Sequence, residues 1–121
     1  MKDQNVDLRR YARFDLFEYA LIESPSHGEM IRAVVVDISL GGLQIRCREH
    51  LPVGESVGVK VGQTESQPLH LKAEVRYCVP IEGSDINAVG LRFMATSHEE
   101  RLQIANYVHS VFLRQGEALT S

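Results

Sequence analysis

The sequence predicts a mainly β domain: six short antiparallel strands arranged as a barrel or sandwich, followed by one C-terminal α-helix. Three observations carry this. Apolar residues alternate with polar ones in short segments between positions 14 and 93. Turn-forming clusters of Gly, Pro, Ser and Asp separate those segments, as in all-β domains. After position 96 the apolar spacing changes to that of a helix.

The elements follow in order. Phe14, Leu16, Tyr19 and Leu21 mark a first strand over Phe14–Glu23, with Phe17 breaking strict alternation. Ser24-Pro25-Ser26-His27-Gly28 reads as a turn. Met30–Ile38 contains the β-branched run Val34-Val35-Val36 and reads as a well-buried second strand. In the third, Leu43, Ile45 and Cys47 share one face, against Gln44, Arg46 and Arg48 on the other. A Pro52–Glu55 turn leads to the alternating Val57, Val59 and Val61, and then to a polar loop over Gly62–Pro68. The fifth strand alternates Leu69, Leu71, Ala73, Val75 and Tyr77 against His70, Lys72, Glu74 and Arg76. A loop over Pro80–Asp85 precedes Val89, Leu91 and Phe93. One apolar face per strand fits a closed barrel with a packed interior.

A helix is expected over Ser97–Arg114. Thr96 and Glu99 have the spacing of a capping box. Leu102, Ala105, Val108 or His109, and Phe112 recur at helical intervals, and Gly116 reads as its stop. Residues 1–8 read as a flexible polar arm, 9–115 as the domain and 116–121 as a tail.

Length and composition bound the function. The chain has 121 residues, with 44% hydrophobic and 24% charged, as in one ordinary soluble domain. No apolar run is long enough for a membrane helix, and residues 1–8 lack the apolar core of a secretory signal, so a cytoplasmic protein without membrane insertion is expected. Cys47 and Cys78 fall in alternating segments and read as reduced core or half-buried thiols rather than a disulfide framework. The five histidines show no metal-ligand spacing. Ser39 is not in a G-x-S-x-G elbow, since position 37 is Asp. No catalytic constellation emerges, no cofactor is expected, and the reading is not an enzyme. A net charge of −3 argues against DNA or RNA as a partner. Three of the 13 basic residues nevertheless fall within five positions, at Arg9, Arg10 and Arg13. That local charge suits a small anion.

Two motifs carry the chemistry. Arg9-Arg10-Tyr11-Ala12-Arg13 stands just before the first strand, and Asp37-Ile38-Ser39-Leu40-Gly41-Gly42 ends the second. If those strands form a hairpin, both motifs lie at its open end. In extended chain Asp37 and Ser39 would share a face. Gly41-Gly42 would permit a sharp turn with positive φ and close backbone approach. Arginine forks match the O6 and N7 acceptors of guanine and also phosphate oxygens, and a carboxylate accepts from its N1–H and N2–H₂. Several charge-assisted contacts of about 1.5–3 kcal/mol each would support micromolar or tighter binding. Outside a ligand site the same residues would form a solvated basic arm and an Asx- or Ser-stabilised turn.

The pair Arg9-x-x-x-Arg13 and Asp37-x-Ser39-x-x-Gly42 resembles the RxxxR and (D/N)xSxxG signature of PilZ domains. The resemblance spans about residues 8–115 and includes the Gly54 turn, the Ala88–Phe93 strand and the terminal helix. It implies a PilZ-like barrel that binds cyclic di-GMP. The ligand set it implies is Arg9, Arg10, Arg13, Asp37, Ser39 and Gly42. Tyr77 matches the aromatic near the end of the fifth strand, often Trp, beside a guanine. Because both motifs converge at one hairpin end beside a flexible arm, the expected mechanism is that ligand orders the arginine arm and so creates a surface for a separate downstream protein partner. The alternative is a PilZ-like protein-interaction domain that does not bind nucleotide.

Overall fold

A computed structural model describes residues 14–62 and 68–120, and the side chains of these up to 115. Six strands form the sequence β1 (Phe14–Glu23), β2 (Met30–Ile38), β3 (Gly42–Cys47), β4 (Ser56–Val61), β5 (Leu69–Pro80) and β6 (Asn87–Phe93). They close into an antiparallel barrel in the order β1-β2-β3-β6-β5-β4. Closure comes from β1 pairing with β4, Ala20 opposite Val61 through Glu23 opposite Gly58. Inward residues such as Ile22, Val35, Ile45, Val59, Ala73 and Val89 are fully buried and fill the interior. Their alternation with outward polar residues is the physical origin of the barrel: each strand has one face to hide, and closure hides all six.

Helix α1 (His98–Thr120) seals the barrel end where β1 and β5 begin. Ile104, Tyr107, Val108 and Val111 are its buried face. That stripe differs from the expected one: Leu102 and Phe112 are about half exposed, and only Val108 was common to both. The 104-107-108-111 set has the complete i, i+3, i+4, i+7 spacing, so it offers the continuous stripe for the barrel end. Gln103 Oε1 accepts from the His70 N–H, Gln115 Nε2 donates to Asp15 O, and the Phe112 ring meets Phe14 edge-on at 5.6 Å.

The capping box lies one residue later than expected. Ser97 Oγ accepts from the Glu100 N–H at 3.1 Å, and Glu100 Oε1 accepts from the N–H and hydroxyl of Thr96 at 2.8 and 3.1 Å. These hydrogen bonds, the Thr96 N–H first, hold the Glu100 carboxyl below its ordinary range. Nor does Gly116 stop the helix, which continues to Thr120. A glycine within a helix costs only about 1 kcal/mol relative to alanine, too little to end it alone.

Three strands depart from simple alternation. Register shifts fall between Asp15 and Glu18 in β1, Val35 and Asp37 in β2, and Val75 and Tyr77 in β5. The first explains the break at Phe17, which is 79% exposed. The other two act on expected site residues.

Candidate ligand-binding site

The β1–β2 hairpin places its open end where expected. Phe14, the first described residue, pairs with Ile38, and Asp15 pairs with Asp37. The chain therefore joins β1 beside the Asp37–Gly42 segment. Arg9, Arg10 and Arg13 lie outside the described residues.

Asp37 is half-buried on the outer surface of the barrel. Its register neighbours are Asp15 on one side and Gln44 on the other. Directly opposed like charges on paired strands are unfavourable, so a cation placed beside this pair would stabilise it. Ser39 does not share its face, because extended geometry ends at Ile38. The chain turns there, and Ser39 is only 3% exposed. Its N–H donates to Gly42 O at 2.8 Å, and its hydroxyl donates to the same oxygen at 3.4 Å while accepting from the Gly41 N–H at 3.2 Å. Ser39 thus closes the turn on itself. Gly41 O accepts from the Phe93 N–H at 3.0 Å, tying the turn to the end of β6.

Gly42 is required for space rather than for φ, which is not in the left-handed region at either Gly41 or Gly42. A Cβ at Gly42 would stand 2.0 Å from Leu91 O and 3.1 Å from Arg92 Cα. The close-approach half of the expectation holds and the positive-φ half does not.

The bulge in β5 changes the reading of Tyr77. Continued alternation would direct its ring into the barrel with Val75. The extra residue turns it outward instead, and Arg76 and Tyr77 are both exposed. Tyr77 pairs with Gly90, and its ring occupies the space a side chain there would need: a Cβ at Gly90 would meet Tyr77 Cε2 at 2.1 Å. The ring lies across β6 and keeps 38% of the residue exposed.

Registers align these residues. Gln44 pairs with Asp37 on β2 and with Gly90 on β6, and Gly90 pairs with Tyr77 on β5. Asp15, Asp37, Gln44, Gly90 and Tyr77 therefore form one row across five adjacent strands. From Asp37 to Tyr77 it spans three strand spacings, about 14 Å. All three bulges border this row, as bulges do where a side chain must be re-aimed beside a site. Next to it, Arg92 pairs with Gly42 across the sheet and donates to Glu74 Oε1 at 2.7 Å. That bond, with the charges of Arg92 and Arg76, holds the Glu74 carboxyl low.

Sequence reasoning did not single out Gln44 and Gly90, which complete the row. The available signal was Gly90 itself, a glycine inside an alternating strand, which marks a close approach.

The remaining polar features are structural. At the other end of the β1–β2 hairpin, Ser24 Oγ donates to Glu55 Oε1 at 2.8 Å and lies 3.1 Å from His27 Nδ1. Ser24 is 1% exposed, which removes it as a nucleophile for a bound substrate. Cys47 is buried and Cys78 half-buried, both as free thiols. Burial, with Glu49 and Cys78 nearby, pushes the Cys47 thiol up to about 11, far from thiolate reactivity. No helix among the described residues is long and apolar enough to cross a membrane.

Comparison with known proteins agrees with this architecture. Residues 7–110 match the PilZ domain. No curated protein is a significant match. Among solved structures, the PilZ domain with c-di-GMP of YcgR from Escherichia coli superimposes with a TM-score of 0.73 at 20% identity, covering 93% of this chain and 98% of that one. YcgR from Escherichia coli in complex with c-di-GMP gives 0.76 at 19% identity, over 93% of this chain and 49% of that one. The Bacillus subtilis inhibitor of motility MotI/DgrA gives 0.68 at 22% identity, over 90% and 52%. The chain thus spans nearly all of the isolated YcgR domain and about half of the two longer proteins. Matching that family over most of its length, with the six-stranded barrel and terminal helix to go with it, the chain belongs to the PilZ domain family.

Proposed function

We propose that this domain is a receptor for cyclic di-GMP, not an enzyme, acting in the bacterial cytoplasm. The observation that carries the reading is the outer-face row. It puts the Asp37 carboxylate and the Tyr77 ring on one surface, at the barrel edge where the chain carrying Arg9, Arg10 and Arg13 joins β1. Support comes also from family membership and from relatives described with c-di-GMP.

In this reading the arginines take the phosphates and the guanine O6 and N7. Asp37 accepts from guanine N1–H and N2–H₂. Ser39 and Gly42 build the turn, and through it expose backbone to the ligand. Tyr77 supplies a stacking face. Ligand then orders the arginine arm over the row and changes the surface offered to a separate partner protein. The net charge of −3 argues against DNA or RNA as the ligand.

Titration calorimetry tests this. Wild type should bind cyclic di-GMP with micromolar or better affinity. Arg13→Ala and Asp37→Ala should each weaken it by about 2 kcal/mol, or roughly thirtyfold. Absence of heat with folded wild type would leave the interaction-domain alternative.

A further inference from the structure

Gln44 stands at the centre of the row, between Asp37 and Gly90. It follows the turn motif directly on β3, and its outward direction comes from strand alternation between buried Leu43 and Ile45. Its side chain is half-buried, and the amide has no hydrogen-bond partner among the described residues. An amide carries two donors and a carbonyl acceptor. Unmatched by protein and open at the surface, such a group is available to a ligand that presents a complementary edge.

The neighbour across Gly90 makes that edge specific. With no side chain at position 90, the Tyr77 ring crosses β6 and reaches to within one strand spacing, about 5 Å, of the strand bearing Gln44. A planar heterocycle resting on the exposed side of that ring projects its edge over Gln44. The lactam edge of guanine, O6 beside N1–H, is an acceptor next to a donor. A primary amide matches it with one donated and one accepted hydrogen bond.

We infer that Gln44 is a base-reading residue: it binds the edge of the guanine that stacks on Tyr77, the ligand's other base from the one that Asp37 and the arginines hold, with Gly90 as the seat that fixes the ring. This rests on the cyclic di-GMP reading above and adds to it a contact from β3, outside both sequence motifs.

The test is a double-mutant cycle on cyclic di-GMP affinity, with thermal stability measured alongside. Gln44→Ala should weaken binding about tenfold, the loss of one amide–base pairing, with the melting temperature little changed. Tyr77→Ala should weaken it by a similar or larger factor. In the double variant the Gln44 effect should largely disappear, because an unstacked base no longer holds its edge in place. Wild-type binding with Gln44→Ala unaffected would overturn this inference and leave the receptor reading standing. So would two losses that multiply independently. A folded wild type that does not bind cyclic di-GMP would overturn the receptor reading, and this inference with it.

Discussion

Strand β2 has a turn at each end, and the two are built from the same kinds of residue for different ends. The turn before it, Ser24–Gly28, is saturated. Ser24 Oγ and the N–H of Ser26 donate to the two oxygens of Glu55 at 2.8 and 2.9 Å, and the His27 ring lies against both serine hydroxyls. The turn after it closes through Ser39 but leaves its polar neighbours directed outward, with Asp37, Gln44 and Tyr77 on the open row. A serine, an acid and a glycine do not distinguish a structural turn from a functional one. What distinguishes them is which surface their neighbours share across the sheet: Asp37, Gln44 and Tyr77 stand in one row on the outer face.

The largest expected effect is on the Ser39–Gly42 turn. Gly42→Ala forces a Cβ against the Leu91 carbonyl, a backbone atom held in the β3–β6 ladder. It should cost about 3 kcal/mol of stability, the upper part of the overpacking range, seen as a lower melting temperature. Unchanged stability would mean that β6 gives way there, and that the approach is not what demands glycine.

Next comes the saturated turn. Ser24→Ala removes a buried hydroxyl from a carboxylate and should cost about 1.5 kcal/mol in denaturant unfolding. Cyclic di-GMP affinity should stay within twofold of wild type, because this turn is at the far end of the hairpin. A large loss of affinity would collapse the contrast between the two turns.

The smallest effect is one of pH. Partial desolvation acts to raise the Glu55 pKa, but the hydrogen bonds from Ser24 and Ser26, with the His27 charge, outweigh it and leave it lowered. A carboxyl depressed on folding contributes stability that is present above the ordinary carboxylate range and is lost as pH falls through its folded value. Glu55→Gln should therefore be less stable than wild type near neutrality, with the gap narrowing in acid. A gap constant with pH would assign the role of Glu55 to packing rather than charge.

Much of the fold was readable beforehand because period-2 and period-3.6 patterns are local. The first two strands, the turn at Ser24–Gly28 and the terminal helix follow from them directly. Two of the errors are of one kind. Thr96 and Ser97 compete for the cap, and two apolar stripes compete for the buried helix face. In each case both choices satisfy the local rule, and contact with the barrel or with Glu100 selects one.

The site divides along the same line. Sequence alone nominated the residue types that the proposed site uses for an anion: the arginine pair, Asp37, the glycine turn and an aromatic late in the fifth strand. For Asp37 and Tyr77, tertiary structure decided where they point. An inserted residue in β5 reverses the side of Tyr77, and one in β2 sets the side of Asp37. Only the pairing of β3 with β6 and of β6 with β5 brings Gln44, Gly90 and Tyr77 into line. Side-chain direction in a strand is a matter of counting, and one extra residue inverts the count for everything beyond it. That is why the alternation that predicts a strand cannot, without the register of its neighbours, say which surface its residues build.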